Sequence, residues 1–287
     1  MRFLRTTKRA FSCLLAVEIC FALTGCGVVE RKILYAPKPF PKSVQLPCDE
    51  MQGVDIEDAS IESSDGMRLH GWYVAPTSTV PKQVVLFCHG RSGNITTFDS
   101  ELVEFVRRHG VAVLAYDYRG YGKSEGKPGE ESGIYRDARA ARSWLVERTG
   151  SPVEDIVLMG RSLGAAVAIE LAASDGAKAL VVECGFTSFP DVVQHHTRNV
   201  LTGKRFKSKY NSIAKIARYS GPVFVSHGND DKLIPFEHGV RLADSATQAE
   251  RVEFVEVIGG HDMPASEPYK EMLSGFLATL PSDSRGL

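Results

Sequence analysis

The sequence lacks an excess of charge of either sign: 34 Lys and Arg stand against 35 Asp and Glu, a formal net charge of −1 over 287 residues. So even a balance gives no basic field for a nucleic-acid backbone, and nucleic acid is not an expected partner. No internal repeat and no low-complexity tract is present, which leaves no solenoid or disordered array. Nor is there an apolar run long enough to cross a bilayer comfortably: the longest candidate, "FSCLLAVEICFALTGC", is short and interrupted by Glu18. With 43% hydrophobic and 24% charged residues, the composition fits one globular domain of ordinary size or a small pair.

Preceded by the basic "MRFLRTTKRA", that apolar stretch reads as an export signal. Its end, Leu23-Thr24-Gly25-Cys26, resembles the bacterial lipobox. The resemblance implies cleavage after residue 25, diacylation of Cys26, and 287 − 25 = 262 residues held to a membrane by lipid. Gly27 after the cysteine resembles the outer-membrane sorting class, so the expected location is the bacterial cell envelope, facing the periplasm if the source is Gram-negative. The alternatives are a plain signal peptide or an uncleaved anchor, and Glu18 counts against an efficient signal. Cysteine is then scarce: Cys48, Cys88 and Cys184 remain in an oxidising compartment, enough for one disulfide at most. Cys88 and Cys184 each end an apolar run, where a buried inert thiol is expected.

After this signal (1–25), residues 26–50 read as a tether, with the proline-rich "RKILYAPKPFPKS" expected to lie extended on the surface of a domain spanning 51–287. Two alternating runs, "VDIEDASIES" and "RLHGWYVAP", flank Ser64-Asp65-Gly66 and predict a hairpin. From there, short apolar runs ("QVVLFCH", "VAVLAYD", "DIVLMG", "ALVVEC", "PVFVSHG", "VEFVEVIGG") alternate with helical periodicity over 96–109, 132–148 and 163–173. Runs without polar alternation are buried on both faces, so the expected fold is α/β, with about eight strands, mostly parallel, covered by helices on both sides. Gln194 to Arg218 carries seven Lys/Arg and no acid, and reads as part of a short cap at about 186–220. This run is either a solvated face or a surface for anionic groups.

"YDYRGYGKSEG" (116–126) ends like a phosphate-binding loop, but Asp117 occupies the position that needs the first glycine, so the phosphate reading fails. "GRSLGA" (160–165) is more informative, because G-x-S-x-G here follows a strand and opens a helix, the setting of a nucleophile elbow at Ser162. A serine needs a base and an orienting acid, in the order Ser, Asp, His. "SHGNDDKLIP" supplies Asp230 or Asp231 after a strand, and "VIGGHDMP" places His261 on a glycine loop after the last one. Other histidines have plainer readings: His70 in the hairpin, His109 as a cation at a helix end before Gly110, His238 near a helix start. The His195–His196 pair is not read as a metal site, and no metal is expected. "FCHGRSGN" (87–94) can turn the Arg91 amide inward beside the Leu163 amide, giving two donors for an oxyanion.

Together these motifs resemble the α/β-hydrolase superfamily, in particular its small single-domain, depalmitoylase-like and serine-aminopeptidase-like branches. "HGRSGN" is similar to the family's oxyanion turn, "YDYRGYGKSEG" to the loop after its fourth strand, "GRSLGA" to its elbow, and "ECGFTS" to its post-strand turn. "HGNDDKLIP" is similar to its acid loop, which selects Asp231 over Asp230. The resemblance implies a serine hydrolase acting on an ester or thioester, with Ser162 as nucleophile, His261 as base, Asp231 as orienting acid, the Arg91 and Leu163 amides as the oxyanion hole, and no cofactor or metal. Alternatives are a peptidase or amidase of the same fold, or a non-catalytic lipid-tethered binding module. Arg91-Ser92 departs from the family's usual Asn-Ala and sets a guanidinium near the oxyanion site, where it can read an acidic group.

Overall fold

A computed structural model describes residues 26–42, 53–197, 206–261 and 266–281. The export segment, Cys48 and part of the basic run, 198–205, lie outside the described residues. In chain order, helix α1 (Cys26–Leu34) and the two-residue β1 (Ala36–Pro37) precede the hairpin of β2 (Val54–Glu62) and β3 (Arg68–Pro76). Then follow β4 (Val84–Cys88), the short β5 (Ser92–Gly93), α2 (Asp99–His109), β6 (Ala112–Tyr116), α3 (Glu131–Thr149), β7 (Ile156–Arg161) and α4 (Leu163–Asp175). The chain continues through β8 (Ala179–Glu183), α5 (Phe189–His196), α6 (Ser212–Ile216), β9 (Val223–Gly228), α7 (Glu237–Ser245), β10 (Val252–Val257) and α8 (Glu267–Ala278).

Eight strands form one sheet in the order β2-β3-β6-β4-β7-β8-β9-β10. β2, β3 and β6 pair antiparallel, while β6 through β10 run parallel. The reason lies in the strands themselves: along β4, Val84, Leu86 and Cys88 enter one apolar layer, while Val85 and Phe87 enter the other. Period-two geometry thus buries both faces of a run that shows no polar alternation. The first layer takes Ile134, Ala138, Ala141 and Leu145 of α3 and most of α4; the second takes Leu102, Val103 and Val106 of α2 with Leu273, Phe276 and Leu277 of α8. Those spacings of three and four are one helical face. The carboxyl ends of the parallel strands consequently share one edge, where open α/β sheets gather their ligands.

The N-terminal segment differs from the extended tether expected of it. Residues 26–34 are helical, because the first proline comes only at Pro37, and α1 is tied down rather than laid on the surface. Leu34 and Tyr35 are buried in the first apolar layer. Glu30, also buried, accepts the amides of Lys207 (2.9 Å) and Ser208 (2.6 Å), and the hydroxyls of Tyr35 and Tyr210 meet at 2.7 Å. Beyond it, β1 pairs in parallel with β5. Among the described residues, no helix is long and apolar enough to cross a membrane.

Candidate active site

Ser162 sits between β7 and α4 at φ 57°, ψ −116°. A non-glycine residue held there stores of order 1–3 kcal/mol of strain, which the surrounding packing must over-determine. Here the packing is backbone on backbone. A Cβ at Gly164 would lie 1.9 Å from the Cys88 carbonyl oxygen, and one at Gly160 would lie 2.1 Å from that of Gly164. Only glycine lets β4, β7 and α4 meet at this distance, which is the physical content of the G-x-S-x-G spacing. The Ser162 amide donates to the Glu183 carbonyl at 2.9 Å, fixing the turn to β8.

Behind the turn lies a polar network, built around the buried Glu183, that the sequence motifs did not reveal. Arg161 donates through Nε to Glu183 (2.8 Å) and through a terminal nitrogen to Glu101 (3.0 Å), and the Tyr269 hydroxyl donates to Glu183. Burial alone would lower the Arg161 pKa, but the two carboxylates raise it well above its ordinary value. The Arg161 charge is therefore kept.

In front of the turn, Ser162 Oγ lies 3.0 Å from His261 Nε2, and His261 Nδ1 lies 2.7 Å from Asp231 Oδ2. A carboxylate only accepts, so Nδ1 carries the proton and Nε2 offers its lone pair to the serine hydroxyl. Asp231 is buried, whereas Asp230 is exposed and pairs with Lys232. The amides of Leu233 and Ile234 each donate to Asp231 Oδ1 at 2.8 Å. Burial would raise the Asp231 pKa, yet hydrogen bonds from His227, His261 and the Ile234 amide hold it below the usual carboxylate range. His227 Nε2 is 2.8 Å from the Ile234 carbonyl and 3.4 Å from Asp231 Oδ2, bracing the acid from its other side.

The Cys184 sulfur comes within 4.8 Å of ligand atoms of Asp231 and His261. Burial pushes its thiol up to about 12, so it stays protonated, and Asp231 and His261 are already engaged with one another. That cluster fits proton handling better than a metal. Cys88 is likewise a buried free thiol.

The turn after β4 is pinned through its carbonyls. The Tyr118 hydroxyl donates to the His89 carbonyl (2.9 Å), His89 Nδ1 donates to that of Gly90 (2.7 Å), and the Tyr121 hydroxyl donates to that of Arg91 (2.7 Å). In a trans peptide the N–H points opposite the C=O, so holding the Gly90 carbonyl aims the Arg91 amide the other way. Leu163 is the first residue of α4, where helical amides have no intrahelical acceptor. Arg91, Ser162 and Leu163 line one cavity.

Both tyrosines belong to "YDYRGYGKSEG", whose purpose is thereby clear. Ser124 Oγ donates to the Asp117 carbonyl (2.6 Å) and Asp117 Oδ1 accepts the Ile95 amide (2.9 Å). Arg119 binds Asp137 and Asp65. The groups a phosphate would need are spent on the fold.

The cavity has a volume of about 370 Å³. Its walls are apolar: Phe186, Phe189, Val192 and Val193 from the chain around α5, Leu233 and Ile234 from the acid loop, Ile33 and Leu34 from α1. Of its polar members, His196 Nε2 donates to the Leu233 carbonyl (2.7 Å) and Thr197 Oγ1 to that of Val193 (2.8 Å). Neither His195 nor His196 joins a group of metal-ligating side chains among the described residues. Within the basic run, Lys215 is paired to Glu131 and Glu170 rather than offered to solvent. His109 ends α2 as expected but is no cation. Burial, with Arg108 adding to it, pushes its pKa down to about 4.

Residues 79–205 match the family described as serine aminopeptidase, S33, a span that includes Arg91 and Ser162 but ends before Asp231 and His261. A Mycobacterium tuberculosis protein described as uncharacterized is 35% identical over 254 residues, covering 86% of this chain and 88% of its own. Human alpha/beta hydrolase domain-containing protein 17B is 30% identical over 225 residues, covering 78% of this chain and 75% of its own. The chain belongs to the α/β-hydrolase superfamily. The architecture of this hydrolase is shared by a solved Pyrococcus furiosus esterase, with a TM-score of 0.69, 20% identity, and coverage of 86% of this chain and 98% of that one.

Proposed function

We propose that this hydrolase cleaves an ester or thioester through an acyl-enzyme. The observation that carries the reading is the continuous hydrogen-bonded line Ser162–His261–Asp231, at 3.0 and 2.7 Å, whose serine lines an apolar cavity. Ser162 Oγ attacks the carbonyl carbon while its proton passes to His261 Nε2. The oxyanion so formed is held by the amides of Arg91 and Leu163. Collapse breaks the bond to the alcohol or thiol, which leaves with the proton from His261. Water then repeats the sequence on the acyl-serine, giving the carboxylic acid and free Ser162. Asp231, held ionised, orients the neutral imidazole to receive the proton and stabilises the imidazolium formed when it does. An apolar wall from Phe186 to Val193 suits a hydrocarbon acyl chain better than the charged amino terminus of a peptide, which favours esterase or thioesterase chemistry over aminopeptidase chemistry.

We further propose that the protein is exported and lipid-tethered at Cys26. The lipobox-like sequence supports this, and α1 begins at that residue and ends with Ile33 and Leu34 in the cavity wall, which would hold the cavity close to the membrane. Labelling by a fluorophosphonate, abolished in Ser162→Ala, together with release of acyl chains from p-nitrophenyl esters, is the expected outcome. A folded protein that takes no label would leave the binding-module reading. Loss of membrane association in Cys26→Ser tests the tether.

A further inference from the structure

Building on the serine hydrolase reading, we propose that Arg91 selects the substrate: its guanidinium binds an oxyanionic group, carboxylate or phosphate, carried on the alcohol or thiol half. The residue has two separable parts. Its amide is the oxyanion donor of that reading, and the residue lines the same cavity as Ser162. Its backbone cannot drift, because the Arg91 carbonyl accepts both the Ala36 amide (2.9 Å) and the Tyr121 hydroxyl (2.7 Å).

The contrast with the other sunken arginines carries the argument. Arg119 is paired with Asp65 and Asp137, Arg142 with Asp175, and Arg161 with Glu101 and Glu183. Arg91 has no carboxylate partner among the described residues, and its Nε is shut off from solvent without a hydrogen-bond acceptor. A guanidinium cannot shed its charge to relieve this, since it stays protonated at any accessible pH. Its planar fork of donors matches a carboxylate or phosphate. Among the residues lining the cavity, it is the one permanently charged side chain, and the rest of the wall is hydrocarbon with polar groups already satisfied. The apolar wall suits the acyl chain, so the complement to Arg91 belongs to the leaving half.

Two matched ester pairs test this. One compares the octanoyl ester of 4-hydroxy-3-nitrobenzoate with that of p-nitrophenol, and the other compares 1-octanoyl glycerol 3-phosphate with 1-octanoylglycerol. The expected result is a kcat/KM preference for the anionic member of about ten- to a hundredfold, the worth of a charge-assisted hydrogen bond. Preference in one pair alone names carboxylate or phosphate as the group read. In Arg91→Met the ratio should fall toward one, and in Arg91→Lys it should be intermediate. Because each ratio is taken within one variant, a general loss of activity does not mimic the effect. Should Arg91→Met fail to fold, the lysine variant and the wild-type ratio still decide. Fluorophosphonate labelling with equal rates in both pairs, or a wild-type preference that survives Arg91→Met, overturns the role of Arg91 and leaves the hydrolase reading intact. No labelling and no hydrolysis of any of the four esters overturns both.

Discussion

The two sides of the nucleophile turn handle charge in opposite ways. Behind Ser162, Arg161, Glu101 and Tyr269 form a network around the buried Glu183, in which the guanidinium and the Glu183 carboxylate have named partners. In front, an apolar cavity holds Arg91, whose guanidinium has no carboxylate among the described residues. A buried ion pair contributes little net stability, but losing one partner is costly. The rear network therefore fixes a geometry, holding the strained turn against β8, while the front leaves its charge to be completed from outside. The same residue type thus serves opposite ends.

The largest effect should come from the front. His261→Ala is expected to lower kcat by roughly 10⁴- to 10⁶-fold, as removal of a member of a cooperating set does, with the melting temperature little changed. Steady-state kinetics beside a thermal melt checks both halves of that statement. The rear should answer in stability instead. Arg161→Met leaves Glu183 buried beside Tyr269 without its cation, and should cost about 3–5 kcal/mol by denaturant unfolding. Arg91→Met should cost less than about 1 kcal/mol, since it strands no partner. Equal losses at the two positions would erase the distinction between the regions.

Acid should weaken both sides, through different histidines. His109 borders the rear network, and His238 supports the front wall through Thr187; burial lowers the pKa of each to about 4. The unfolded chain binds a proton near pH 6.5, so between about 6.5 and 4 it holds more protons than the folded one. Stability should accordingly fall as pH drops through that window. His109→Gln and His238→Gln should each flatten the slope, and a slope unchanged in both would contradict these burial-driven shifts. Asp231 acts in the same direction, at lower pH. Its depressed pKa stabilises the fold above the ordinary carboxylate range, a contribution lost only at still lower pH. A milder effect on catalysis should come from Tyr121→Phe, which leaves the Arg91 carbonyl held by the Ala36 amide alone. About tenfold in kcat, the value of one neutral hydrogen bond, is expected on a neutral ester.

Much of this site could be read along the chain because its chemistry is local. G-R-S-L-G requires glycine at 160 and 164 for backbone contact, and that necessity appears as a motif. Asp231 and His261 each lie on a loop after a strand, so chain order brought them forward, while the choice of Asp231 over Asp230 came from the resemblance of "HGNDDKLIP" to the family's acid loop. The tie between Arg161 and Glu101 escaped because it joins residues 60 apart with no pattern between them. Tyr118 and Tyr121 were visible as part of a turn, but what they hold depends on how β4 and β6 lie side by side. Composition misled at 26–34, where prolines downstream masked a helix whose anchors, Ser208 and Tyr210, come much later. His109 was read by its helix position alone, and burial against α8 reversed its charge state.

The docking of α1 also bears on the order in which the molecule is completed. Glu30 waits for amides 177 and 178 residues further on, and Tyr35 for a hydroxyl 175 residues away. Contacts of such separation close late, because the intervening chain must first be ordered. A segment that precedes its partners by so much of the chain is thus among the last to find its place. Until it does, Ile33 and Leu34 are missing from the wall, and a growing chain carries its serine before it has a finished chamber in which to use it.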